Sequence, residues 1–163
     1  MTDTYISEKA SFTIAVVNPL ITAVVETFNS MAGYRVVRKD LQQVREHHPY
    51  HQVTALIQLS GRARGSICLS VSQRTAIALV YKMTEIHETE VTSLVCDTVA
   101  EFANVIGGMA KDRLTELGLQ LGLPNVVHGS KLEIWYPEDS TPMCVNFSSE
   151  IGPLMVTFGF SKS

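Results

Sequence analysis

The sequence predicts an α+β fold: a mainly antiparallel sheet of about six strands, covered by two long helices and one short one. Three observations predict it. Alternating runs of strand length come in hairpin pairs, one around "SGRARG" and one around "SSEIGP". Two segments, "NPLITAVVETFNSMAG" and "EVTSLVCDTVAEFANVIGGMAKDRLTELG", repeat their apolar residues at helical spacing. The elements then recur in one order, a helix followed by about three strands, in each half of the chain.

Taken in order, the first helix is expected from about residue 18 to 32. Asn18 can cap it, Pro19 suits its first position, and Gly33 can end it. "YRVVRKDLQQV" reads as a strand, and "HQVTALIQLSGRARGSICLSVS" as a hairpin whose loop is bounded by Gly61 and Gly65. "SQRTAIALVYKMTE" is the short helix, with Ser72 as its cap. The second long helix covers about 90 to 117, and "KDRLTELG" reads as its solvated final turn. "NVVHGSKLEIWYP" reads as one strand run. "PMCVNFSSEIGPLMVTFGF" is a second hairpin, turning near Glu150 to Pro153. No linker or low-complexity stretch divides the chain, so residues 1–163 read as one domain.

Composition limits function. Hydrophobic residues make up 45% and charged residues 18%, as in a compact globular chain, and the formal charge of -3 offers no footprint for nucleic acid. The opening "MTDTYISEKASF" carries Asp3 and Glu8 and does not read as a signal peptide. "FTIAVVNPLITAVV" is broken by Asn18-Pro19 and reads as too short to span a bilayer. Cys68, Cys96 and Cys144 are odd in number and widely spaced, which suits reduced thiols in a cytoplasm better than a disulfide framework or a zinc site.

The long second helix poses a question. Gly107 and Gly108 lie inside it, where each costs roughly 1 kcal/mol against alanine. At about 100° per residue, Asp97, Glu101, Asn104 and Gly108 share an arc of about 60°. Val95, Val99, Phe102 and Ile106 form the opposite, core-facing stripe. Glutamate and asparagine at i and i+3 project side by side, and a glycine one turn beyond leaves no side chain to block an approaching surface. Two other readings stand beside this docking face: a solvated stripe, or glycines that let a neighbouring helix pack closely. A repeated spacing favours the face. Glu26, Asn29 and Gly33 in the first helix precede Glu101, Asn104 and Gly108 by 75 residues at each position.

At these residues the chain resembles the CheC/CheX/FliY chemotaxis phosphatases, closest to the CheX branch. The pattern Asp97-x-x-x-Glu101-x-x-Asn104-x-x-x-Gly108 is similar to their signature, as are the opening "NPLITAVVETFNSMAG" and "LPNVVHG" after the signature helix. The resemblance implies hydrolysis of the aspartyl phosphate of a phosphorylated CheY-like response regulator, by water attacking in line. Asn104 would hold the water and Glu101 would pair with a lysine of the regulator. Asp97 would support the contact, and Gly108, with Gly107, would permit close approach. No cofactor is expected on this chain, since the magnesium ion belongs to the regulator. A homodimer acting in the cytoplasm, without nucleic acid or membrane, is the implied setting. Glu26 and Asn29 would form a second, degenerate site, because Thr22 stands where Asp97 stands in the other copy. The other reading within the resemblance is a non-catalytic module that binds a regulator or a flagellar or signalling complex.

Other polar groups carry less. "EHHPYH" clusters His47, His48 and His51, but Pro49 interrupts any register that would converge them on a metal, so a solvated loop is expected. Arg62 and Arg64 read as an exposed turn, and Trp135 and Tyr136 as sheet packing. No nucleophile elbow is present.

Overall fold

The computed structural model describes the backbone of residues 2–129 and 131–162, and the side chains from residue 14 onward within them. Asp3 and Glu8, on which the reading of the chain's start rested, lie outside the described side chains.

Helix α1 (Thr2–Ala32) is longer than expected and carries Pro19 in its interior. Proline removes one helical hydrogen bond and crowds the preceding turn. The helix continues because apolar positions on both sides of Pro19 are buried: Val16, Val17, Leu20, Ala23, Val24 and Phe28. Asn18 therefore lies inside a helix instead of capping one. The stretch Ile14–Ala32 is long and apolar enough to cross a membrane by composition, which corrects the expectation that proline leaves it too short. Its buried face belongs to the main core cluster. Gly33, at φ +69, ends the helix, and its N–H donates to the Asn29 carbonyl at 2.9 Å.

Strands β1 (Val36–Gln43), β2 (Val53–Ser60) and β3 (Ala63–Val71) follow, then α2 (Gln73–Thr84) and α3 (Ser93–Arg113). Ser72 caps α2 as expected, its side chain accepting from the Thr75 N–H. After α3 come β4 (Gln120–Leu121), β5 (Asn125–His128), β6 (Met143–Ser149) and β7 (Leu154–Lys162). The described sheet thus has seven strands, the addition being the two-residue β4.

Strand order explains how two repeats make one sheet. The order is β1-β6-β7-β3-β2-β4, with β5 also on β2. The last strands of the two repeats, β3 and β7, pair antiparallel at the centre from Ala63↔Lys162 to Val71↔Leu154. Hairpin partners β2 and β6 flank them. The opening strand of each repeat then crosses over: β1 pairs with β6, and β5 with β2. Each half completes the other's edge. Helices α1 and α3 pack together, with Phe28 and Phe102 rings 5.1 Å apart.

Four local expectations need correction. Helix α3 stops at Arg113, and a single 3-10 turn, Thr115–Leu117, replaces its expected end. Leu114 and Leu117 turn into the core, so "KDRLTELG" is not wholly solvated. Arg62 and Arg64 are exposed as expected, and Arg62 is also anchored: its N–H donates to the Leu117 carbonyl at 2.8 Å and its guanidinium to the Glu116 carbonyl at 3.0 Å. Gly61 beside it has φ +126, and a Cβ there would collide with the Gly118 carbonyl. Among the described residues of the "NVVHGSKLEIWYP" run, only Asn125–His128 are strand. Tyr136 packs on the sheet, donating to Thr157 Oγ1 at 2.7 Å, whereas Trp135 is 67% exposed. Of the three loop histidines only His47 is exposed, while His48 and His51 are partly buried. The His48 ring meets Tyr50 edge-on at 5.1 Å, and the His51 N–H donates to Ser70 Oγ at 2.9 Å. Burial lowers the pKa of both His48 and His51.

Candidate functional site

Helix α3 starts cleanly because the Thr92 side chain accepts from the Val95 N–H, and Lys111 and Arg113 in its last turn complement the helix dipole. Its core-facing stripe lies where periodicity put it: Val95, Val99, Phe102 and Ile106 are all 1% exposed or less. Burying four such side chains stabilises the helix by several kcal/mol, at roughly 1.5–3 kcal/mol each, more than enough to offset two interior glycines. The opposite stripe is turned outward. Asp97, Glu101 and Asn104 are exposed and Gly108 is partly so.

The two glycines have different environments. Gly107 is buried, and a Cβ on it would come within 3.4 Å of Ile57 Cδ1 and 3.6 Å of both Leu121 methyls. Those are ordinary contact distances, so the position faces the core with room for a methyl group but not for a larger side chain. Gly108 has nothing within 4 Å of where its Cβ would be. It leaves the outer face low, one turn beyond Asn104. Gly107 thus faces the interior and Gly108 the outside.

Among the described residues, no hydrogen bond or ion pair engages the side chains of Asp97, Glu101 or Asn104. A carboxylate accepts hydrogen bonds only, while an amide both donates and accepts. Side by side on a rigid helix, the pair can hold a cation and, next to it, a water molecule together with an anionic oxygen. Among the described residues no three His, Cys, Asp or Glu side chains cluster as a metal site.

The first repeat is arranged otherwise. Glu26 and Asn29 are exposed, but both Glu26 carboxylate oxygens accept from Arg113 Nη2 at 2.9 Å. Thr27 of α1 also donates to the Met109 sulfur of α3 at 3.2 Å. Arg113 was missed by sequence reasoning, which placed it in a solvated turn. No local pattern signals this role, because Arg113 meets Glu26 only once α1 and α3 pack together.

Comparison with known proteins bears on this face. A family model described as Chemotaxis phosphatase CheX matches residues 53–148. The CheY-P phosphatase CheX of Thermotoga maritima is 28% identical over 122 residues, 73% of this chain and 79% of that protein. The crystal structure of chemotaxis protein CheX from Desulfovibrio desulfuricans superposes with a TM-score of 0.80 at 25% identity, covering 90% of this chain and 99% of that one. The CheX of a CheX-CheY-BeF3-Mg complex from Borrelia burgdorferi has the same fold, with a TM-score of 0.73 at 18% identity over 90% of this chain and 97% of that one.

Proposed function

The chain belongs to the chemotaxis phosphatase CheX family, and from that premise we propose that it hydrolyses the aspartyl phosphate of a CheY-like response regulator. One observation carries the reading: Glu101 and Asn104 stand exposed and adjacent on α3, with no intramolecular partner among the described residues, beside the open Gly108. The relative named a CheY-P phosphatase and the fold seen bound to CheY support the direction of the inference.

The chemistry needs little from this chain. The regulator brings the acyl phosphate, its leaving carboxylate and the magnesium ion, so no cofactor resides here. Asn104 accepts a hydrogen bond from the attacking water through Oδ1 and donates to a phosphoryl oxygen through Nδ2, fixing the water in line. Positioning of this kind lowers the barrier without a nucleophile. Glu101 takes the ammonium of a regulator lysine and sets the register of docking. Asp97, one turn earlier, adds a peripheral contact. Two copies of the chain would pair along a sheet edge in the cytoplasm. Strand β1 leaves Val37 and Leu41 more than two-fifths exposed there. Sedimentation at micromolar concentration tests this, a lone 18.0 kDa species counting against it.

The test of function is loss of phosphate from a panel of phosphorylated regulators with magnesium present. Acceleration by the native protein, abolished in Asn104→Ala, supports the phosphatase. Binding without acceleration favours a non-catalytic module.

A further inference from the structure

Arg113 forms a two-oxygen contact with Glu26, at 2.9 Å to each oxygen, on the helix face that carries the first Glu-x-x-Asn. This places a cation on the first-repeat glutamate, the kind of partner that the proposed function assigns to Glu101 from outside. We propose that Arg113 is an internal stand-in for the regulator's lysine. It closes a latent second docking face, made by Glu26 and Asn29, for the phosphate-bearing end of a response regulator. The inference rests on the function proposed above.

The asymmetry follows from where the two helices end. The repeat glycine terminates α1 at Gly33, in a left-handed conformation. Its counterpart Gly108 sits within α3, which continues to Arg113. The helices pack together through the Phe28–Phe102 and Thr27–Met109 contacts, and the last turn of α3, beyond Gly108, brings Arg113 to Glu26. The first helix ends at the glycine and lacks the matching turn, and no described residue makes such a contact with Glu101. Both partners of the Arg113–Glu26 pair are nearly half exposed, 44% and 46%. Solvent screens such a pair, so it is a closure that a competing cation can displace. Arg113 also keeps a positive charge where the regulator's own lysine would have to come.

The experiment uses the full chain carrying Glu101→Ala and Asn104→Ala, which removes the open face. Binding of a CheY-like regulator activated with beryllofluoride and magnesium is measured with and without Arg113→Gln. Release of the latent face tightens binding by roughly two- to fivefold, the factor appropriate to an exposed ion pair, and adding Glu26→Ala reverses the gain. Unchanged binding on Arg113→Gln, in protein with a native circular dichroism spectrum, overturns the proposal. The native chain run alongside separates the two ideas. If it binds the regulator while the Arg113→Gln gain is missing, only the latent face is wrong. If it neither binds nor hydrolyses, the proposed function and this inference fail together.

Discussion

The two Glu-x-x-Asn faces of this molecule share a sequence and differ in what surrounds them. In the first repeat the glutamate is held by Arg113 and the helix ends at the glycine. In the second, the glutamate and asparagine have no intramolecular partner among the described residues, and the glycine lies in an uninterrupted helix. A motif thus gives a face its chemistry, while the reach of the neighbouring helix decides whether that chemistry is available. Such a difference lies in packing between repeats and cannot be read from either repeat alone.

The largest break in this comparison should come from the asparagines. Asn104→Ala is expected to lower catalysed hydrolysis by about 10²–10³-fold, the usual cost of removing one positioned catalytic group, whereas Asn29→Ala leaves it unchanged within twofold. Steady-state phosphate release measures both. Next come the neighbouring glycines, which should separate stability from docking. Gly107→Leu is expected to destabilise by about 1–3 kcal/mol through overpacking against Ile57 and Leu121, read by urea denaturation. Gly108→Leu faces open space, so it should keep its stability and lose regulator binding. If Gly108→Leu unfolds the protein while Gly107→Leu is tolerated, the assignment of roles to the two positions is reversed.

Much of this was legible in the sequence. The hairpins, the core stripe of α3 and the exposed face opposite it follow from local periodicity, because burial on one side of a helix or strand leaves a period in the chain. Pro19 was misread because its local effect is to break a helix. The apolar residues on both sides of it, buried against the sheet and α3, decide otherwise. The crossing of β1 and β5 between repeats left no local trace either, and Arg113 looked like an ordinary helix-end cation until α1 was placed beside it.

Smaller effects sharpen the contrast between surface and interior. Burial lowers the pKa of His48 and His51, so the unfolded chain takes up their protons first. Stability from these groups is present above about pH 6.5, the unfolded value. It falls as pH drops below that and through the lowered native values. Urea midpoints at pH 7.5 and 5.5 should differ in that direction, and His48→Gln should reduce the difference. Among the thiols, burial pushes Cys68 up to about 11 and Cys144 up to about 12. A maleimide at neutral pH should therefore label Cys96 first, the one of the three that is not fully buried. Arg113→Gln alone is the mildest change, costing about 0–1 kcal/mol of stability as expected for an exposed pair.

The measurement closest to the centre of the account is the decay of aspartyl phosphate on a CheY-like regulator, with magnesium. It would compare native protein, Asn104→Ala and Asn29→Ala side by side. The account predicts rapid loss with native protein and Asn29→Ala, and loss at the regulator's own rate with Asn104→Ala. Equal acceleration by native protein and Asn104→Ala would contradict it, because the exposed α3 pair would then have no part in the reaction.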